Sequence, residues 1–222
     1  MKTFQPKLIM IDLDGTLVDS VPDLAYCIDE MMVKLGLQKW GETQVRHWVG
    51  NGVPKLVERA LTGELEGQPI KEVFDVAYPI FLDLYEDNNA QRSYLYDGVR
   101  EGLDYLKSQG YQLGCVTNKL EQFTHPLLKV LGIFNDFKII ISGDTLAKRK
   151  PDPMPLLYCA EHFNLKPEEC LMLGDSVSDV KAARAAGFDI ICMSYGYNHG
   201  NDISVENPDL VIDSMNQLSD HL

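Results

Sequence analysis

The apolar positions of this chain fall into two rhythms that change near residue 95. The first run is Leu8–Ile11, four apolar residues with the length and composition of a buried strand, ending abruptly in Asp12, Leu13, Asp14 and Gly15. Ser20-Val-Pro-Asp then reads as a helix start, with Ser20 as N-cap and Pro22 in the first turn. Val21, Leu24, Ala25, Ile28, Met32 and Leu35 keep helical spacing until Gly36 stops it. The helical pattern continues through Val45, Trp48 and Val49, breaks at Gly50-Asn51-Gly52, and resumes over Val53–Leu61 and again from Ile70 to Tyr85. No strand alternation shows between about Asp19 and Leu95, so this block reads as a small helical insertion with its own apolar face.

Beyond Tyr96, short apolar strands alternate with helices. Strands are expected over Tyr111–Val116, Phe137–Ser142, Cys170–Leu173, Ile190–Met193 and Leu210–Ile212. Helical spacing separates them around Val99–Leu106, Phe123–Val130, Pro155–Phe163 and Val180–Ala186, with a closing helix expected over Met215–Leu222. This alternation predicts an α/β fold, a doubly wound parallel sheet covered on both faces. An eightfold barrel needs more units than the chain supplies. The expected organisation is a core of residues 1–18 and 96–222, with a helical cap of residues 19–95 inserted after the first strand.

Charge narrows the partners. At 222 residues, 25.0 kDa and a net charge of -13, the chain repels nucleic acid and anionic membranes. An anionic substrate then needs a local positive site, so clustered basic residues carry information. Cys27, Cys115, Cys159, Cys170 and Cys192 stand singly, without metal-binding spacing, as expected for reduced thiols in a cytoplasmic protein. No targeting segment or membrane span is expected.

Polar residues cluster where the strands end, the edge at which open parallel sheets bind ligands. Asp12 and Asp14 start out co-directional at the mouth of a buried strand. Two carboxylates so placed repel and lose water, and a divalent cation, a proton relay, or both relieve that cost. Thr117-Asn118 offers a hydroxyl and an amide suited to phosphate oxygens, or simply to a turn. Lys148-Arg149-Lys150 precedes Pro151-Asp152-Pro153; Lys148 and Arg149 read as a solvated charge run. Asp175 sits at a strand end after Gly174, and Asp179 follows one helical turn later, either supporting the same site or stabilising a helix N-terminus. Asp12, Asp175 and the backbone carbonyl of Asp14 form an all-oxygen set that favours Mg²⁺.

Asp12-x-Asp14-Gly15-Thr16 after an apolar strand, followed in order by Thr117-Asn118, Lys150 and Gly174-Asp175…Asp179, resembles the haloacid dehalogenase-type phosphohydrolases. The resemblance implies Asp12 as nucleophile, Asp14 as general acid and base, and Lys150 as the lysine that holds the phosphoryl group beside Thr117 and Asn118. It also implies Mg²⁺ as cofactor, an aspartyl-phosphate intermediate and a cap that closes over the site. Arg46-His-Trp-Val-Gly-Asn-Gly52 with Val57–Leu61, and Tyr195–Gly200, are similar to the bacterial phosphoglycolate phosphatases of that family. The substrate expected on this resemblance is 2-phosphoglycolate, a small phosphomonoester, for a monomer or homodimer. Within the cap, Gly50, Asn51 and Gly52 are candidates for close approach to the substrate or for a simple turn. The fork of Arg46 matches a carboxylate, though a surface arginine fits the same spacing. N-acetylmuramate 6-phosphate phosphatases and sugar-phosphate mutases share the core motifs and stay open as alternatives. A phospho-aspartate receiver, also doubly wound, is set against by the size of the helical insertion.

Overall fold

A computed structural model describes residues 3–222, so the first two residues of the expected core segment 1–18 lie outside the described residues. In chain order, β1 (Leu8–Ile11) leads into β2 (Val18–Asp19), then the helices α1 (Val21–Lys34), α2 (Glu42–Trp48), α3 (Val53–Thr62) and α4 (Lys71–Asn88). After β3 (Tyr94–Leu95) come α5 (Val99–Ser108), β4 (Gln112–Val116), α6 (Glu121–Val130), β5 (Ile139–Ile141) and α7 (Met154–His162). The chain continues through β6 (Cys170–Gly174), α8 (Val177–Ala186), β7 (Asp189–Met193) and β8 (Leu210–Ile212).

Six strands make one parallel sheet in the order β5-β4-β1-β6-β7-β8. Each central strand is buried on both faces, which is why it reads as a continuous apolar run. Side-chain alternation divides the core in two. Ile9, Ile11, Leu113, Cys115, Leu171 and Leu173 pack with Val99, Leu103 and Leu106 of α5 and Leu127 of α6. Leu8, Met10, Val116 and Met172 face the other way, onto Leu156 and Cys159 of α7 and Val180 and Ala183 of α8. Each such fully buried aliphatic side chain contributes roughly 1.5–3 kcal/mol.

Register places the functional edge. Ile11 stands level with Cys115 on one side and with Leu173 on the other, so three strands end at nearly the same height. The chain winds outward from β1 through β4 to β5, then crosses back to β6, which puts the topological switch beside β1. Residues 12–14, 117–119 and 175–176 therefore emerge together.

The helices α1–α4 hold a separate apolar cluster built on Ile28, Met31, Trp48, Leu56, Phe81 and Tyr85. They are bracketed by β2 and β3, which pair antiparallel as Val18 with Leu95 and Asp19 with Tyr94. Sequence patterning misses this ribbon, because two-residue strands have no periodicity to detect. The closing helix expected over Met215–Leu222 is a 3-10 helix over Met215–Asp220. Its buried residues, Met215 and Leu218, lie three apart, the repeat of a 3-10 turn. All five cysteines are free and buried. Among the described residues, no helix is long and apolar enough to cross a membrane.

Candidate active site

β1 delivers Asp12 to the sheet edge while Leu13 turns into the core. The Lys150 ammonium lies 2.8 Å from Asp12 Oδ1 and 2.7 Å from Asp179 Oδ1, and donates to the Val116 carbonyl at 2.7 Å. One buried cation thus ties together the ends of β1 and β4 and the first turn of α8. Asp179 Oδ2 accepts from the backbone N–H groups of Asp175 and Ser176 at 3.2 and 3.0 Å and from Ser176 Oγ at 2.7 Å. Asp179 thus caps α8 and pairs with Lys150 at the same time.

Asp175 is held by Thr16 Oγ1, which donates to Oδ1 at 2.7 Å, and by the Tyr197 N–H, which donates to Oδ2 at 2.9 Å. Glycines make room for it. A Cβ on Gly15, whose φ is +90°, stands 2.4 Å from Asp175 Oδ2, and one on Gly196 stands 2.1 Å from Asp175 Cβ. No side chain larger than hydrogen fits at either place without moving the carboxylate.

Asp12, Asp175 and Asp179 each offer a carboxylate oxygen within 4.8 Å of the others. Three carboxylates against the Lys150 ammonium leave excess negative charge in a buried place. Burial pushes the Asp12 carboxyl well above the usual range; Lys150 pulls it back, and Asp179 and Asp175 push it further up. Burial, then Asp179, raises Asp175 to about 7. A hard divalent cation relieves this stress, and carboxylate oxygens are the donors such ions take. The donor set fits a metal ion.

Asp14 is turned elsewhere. Its side chain is outside that trio, and the ligand expected from Asp14 is its backbone carbonyl. Ser20 Oγ donates to Asp14 Oδ1 at 2.6 Å, and Lys119 Nζ reaches the same oxygen at 3.2 Å. Ser20 does not cap α1 through its side chain, as its position suggests; the hydroxyl is spent on Asp14.

Thr117 and Asn118 line the same cleft. Thr117 Oγ1 accepts the Lys119 N–H at 3.1 Å, and Asn118 Nδ2 donates to the Lys150 carbonyl at 2.9 Å. The Asn118 amide, expected to meet phosphate, thus braces the loop that carries Lys150. Gly50, Asn51 and Gly52 form the opposite lip, all at positive φ. Arg59 holds that lip from behind, donating to the Trp48 and Gly50 carbonyls at 2.6 and 3.2 Å and to Asn51 Oδ1 at 2.9 Å. Asn51 Nδ2 in turn reaches Ser178 Oγ on α8 at 3.3 Å, joining lip to core.

Arg46 stands apart from the cleft. Its guanidinium pairs with both oxygens of Asp19 at 3.1 and 2.9 Å and with Glu42 at 2.9 Å, and it does not line the cleft. The fork found a carboxylate, but one supplied by β2 of this chain. Sequence reasoning also passed over Lys119, Arg59 and Tyr197. Lys119 had a signal, its place directly after Thr117-Asn118. Arg59 and Tyr197 lie inside the stretches Val57–Leu61 and Tyr195–Gly200 that carry the resemblance, but nothing local singled them out from their neighbours. Tyr197 Oη accepts the Ser20 N–H at 2.9 Å and bonds Asp19 Oδ1 at 3.0 Å.

A doubly wound sheet whose switch-point edge carries a carboxylate on a buried ammonium, a second carboxylate two residues on, and a helical block beside them fits a hydrolase built around an acidic, cation-seeking centre. The chain belongs to the haloacid dehalogenase-like hydrolases, whose family model matches residues 9–193. It is 60% identical over 218 residues to a phosphoglycolate phosphatase of Nitrosococcus oceani, covering 98% of this chain and 97% of that one. A phosphoglycolate phosphatase of Nitrosospira multiformis is 44% identical over 94% of this chain and 92% of its own length. Among solved structures, a predicted phosphoglycolate phosphatase from Haemophilus somnus superposes with a TM-score of 0.91 at 36% identity, over 97% of each chain.

Proposed function

We propose that the chain is a Mg²⁺-dependent phosphomonoesterase that hydrolyses 2-phosphoglycolate to glycolate and phosphate through an aspartyl-phosphate. The observation that carries this reading is the Asp12–Lys150 contact of 2.8 Å at the floor of a cleft whose wall holds Asp14. The relatives named phosphoglycolate phosphatase, 60% and 44% identical over nearly the whole chain, support the choice of substrate.

Asp12 and Asp175, with the backbone carbonyl of Asp14, would hold Mg²⁺, and Asp179 keeps Asp175 and Lys150 in place. When bound, the ion supplies positive charge that offsets the carboxylates and draws in phosphate oxygens. Lys150 favours the ionised form of Asp12 against the burial that opposes it, and neutralises charge on the transferring phosphoryl group. Thr117 and Asn118 border the phosphate's place in the cleft, opposite the lip of Gly50, Asn51 and Gly52. An Asp12 carboxylate oxygen attacks phosphorus, the ester P–O bond breaks, and protonated Asp14 gives its proton to the leaving glycolate oxygen. Asp14 then takes a proton from water, which attacks the phosphorus of the acyl phosphate and frees Asp12. Ser20 and Lys119 both act at Oδ1 of Asp14, leaving Oδ2 for the proton.

Residues 19–95 serve as the cap over a core of 1–18 and 96–222. Leu24, Val49, Val53 and Leu56 line the cap side of the cleft, an apolar wall that excludes water from the acyl phosphate. Five free, buried thiols suit a cytoplasmic protein. The test is kcat/KM with Mg²⁺ across 2-phosphoglycolate, N-acetylmuramate 6-phosphate and hexose phosphates. The reading requires 2-phosphoglycolate to lead by at least about tenfold; a sugar phosphate in front overturns it.

A further inference from the structure

With Arg46 committed to Asp19, recognition of a substrate carboxylate needs another cation, and the cleft offers few. Lys150 spends its ammonium on Asp12, Asp179 and the Val116 carbonyl. His199 also lines the cleft, but burial disfavours its charged form and its Nδ1 is already engaged by the His47 carbonyl at 3.0 Å. Arg59 sits behind the lip with its donors on backbone carbonyls and Asn51. Lys119 is different. It is 4% exposed, its Nζ meets Asp14 Oδ1 at 3.2 Å and the Tyr85 hydroxyl, and among the described residues these two partners leave one N–H over.

Its position matters more than its charge. Asp14 hands its proton to the leaving oxygen, and in 2-phosphoglycolate the carboxylate carbon is only two bonds from that oxygen. A cation in contact with Asp14 therefore stands beside the place a short carboxylate tail must occupy. Tyr85, fully buried in α4 and packed on Phe123 with ring centroids 4.7 Å apart, fixes the ammonium from the cap side. We infer that Lys119, steadied by Tyr85, is the specificity-determining residue that receives the carboxylate of the substrate's leaving group. The inference deepens the phosphoglycolate reading and rests on it for the identity of the tail.

The test compares 2-phosphoglycolate with ethyl phosphate, which has the same two-carbon chain and no carboxylate. Any effect of Lys119 on Asp14 is common to both esters and cancels in the ratio of their kcat/KM values. In Lys119→Met that ratio falls by on the order of 10- to 100-fold, through KM for 2-phosphoglycolate, as for the loss of a charge-assisted bond. Lys119→Arg restores most of it. Tyr85→Phe, which leaves the charge in place, lowers the ratio by a smaller factor and serves if the Lys119 variants do not fold. A ratio that stays within about threefold of wild type in the folded variants overturns the inference. Dissociation constants of the two esters, measured by calorimetry on Asp12→Asn with and without Lys119→Met, separate recognition from turnover. A binding preference that vanishes with Lys119, in a protein whose wild type leaves 2-phosphoglycolate unhydrolysed, defeats the substrate reading and upholds the inference. Hydrolysis of 2-phosphoglycolate with a preference indifferent to Lys119 does the reverse.

Discussion

Replacing Lys150 by Met keeps the aliphatic stem and removes a buried charge that three acceptors share, at 2.7, 2.7 and 2.8 Å. The loss is not spread evenly. Asp179 keeps three other donors, from Asp175 and Ser176. Asp12 loses its only cationic contact among the described residues, and burial already strains its ionised form. Breaking a buried ion pair costs about 3–5 kcal/mol, and because Asp179 remains solvated by its donors the lower end, about 3 kcal/mol, is expected at pH 8. At pH 5 the penalty shrinks, since without the ammonium Asp12 takes up a proton more readily and a neutral carboxyl needs no counter-charge. Urea unfolding at both pH values, in EDTA, measures this, with Lys148→Met as the control. Lys148 is 60% exposed and among the described residues pairs only with Asp152, at 2.9 Å, so its loss costs under about 1 kcal/mol. A Lys150→Met penalty as small as the control at pH 8, or one equal at both pH values, refutes the reasoning. Turnover by the folded variant falls by at least about 100-fold, since a buried charge at the transferring group is lost.

Two further outcomes follow from the acidic edge. Gly196→Ala places a Cβ 2.1 Å from Asp175 Cβ and must displace that side chain; the Mg²⁺ concentration for half-maximal activity rises about tenfold or more, and an unchanged Mg²⁺ titration contradicts the placement of Asp175. In EDTA, Asp12 and Asp175 bind protons more tightly folded than unfolded, Asp175 with a value raised from 3.8 to about 7. The stability these two carboxyls contribute is full below about pH 4 and is lost as pH rises through about 7, and saturating Mg²⁺ flattens that dependence. A Tm that climbs from pH 5 to pH 8 in EDTA sinks this account.

The parts of this molecule that were legible in sequence are those governed by local pattern. Strands such as Leu8–Ile11 and Cys170–Gly174 are buried on both faces, so their apolar runs announce them, and the acids at their ends follow directly. Strand order is set by long-range pairing and leaves no mark on any one segment. The ribbon of Val18–Asp19 with Tyr94–Leu95 is too short for a period. Arg46 shows the limit for side chains: its guanidinium could be matched to a carboxylate, but not to Asp19, 27 residues away. Lys119 and Arg59 are buried cations whose partners come from other elements, and composition alone assigns such residues to the surface.

The proposed mechanism requires the Asp12 carboxylate to be phosphorylated and released in each cycle. Acid quenching during turnover of 2-phosphoglycolate with Mg²⁺, followed by peptide mass analysis, reads that step directly. One acid-stable, base-labile phosphoryl group is expected on the peptide containing residues 8–14, localised to Asp12 and absent in Asp12→Asn. Turnover at a normal rate by Asp12→Asn, or a phosphoryl group carried on any other residue, contradicts it.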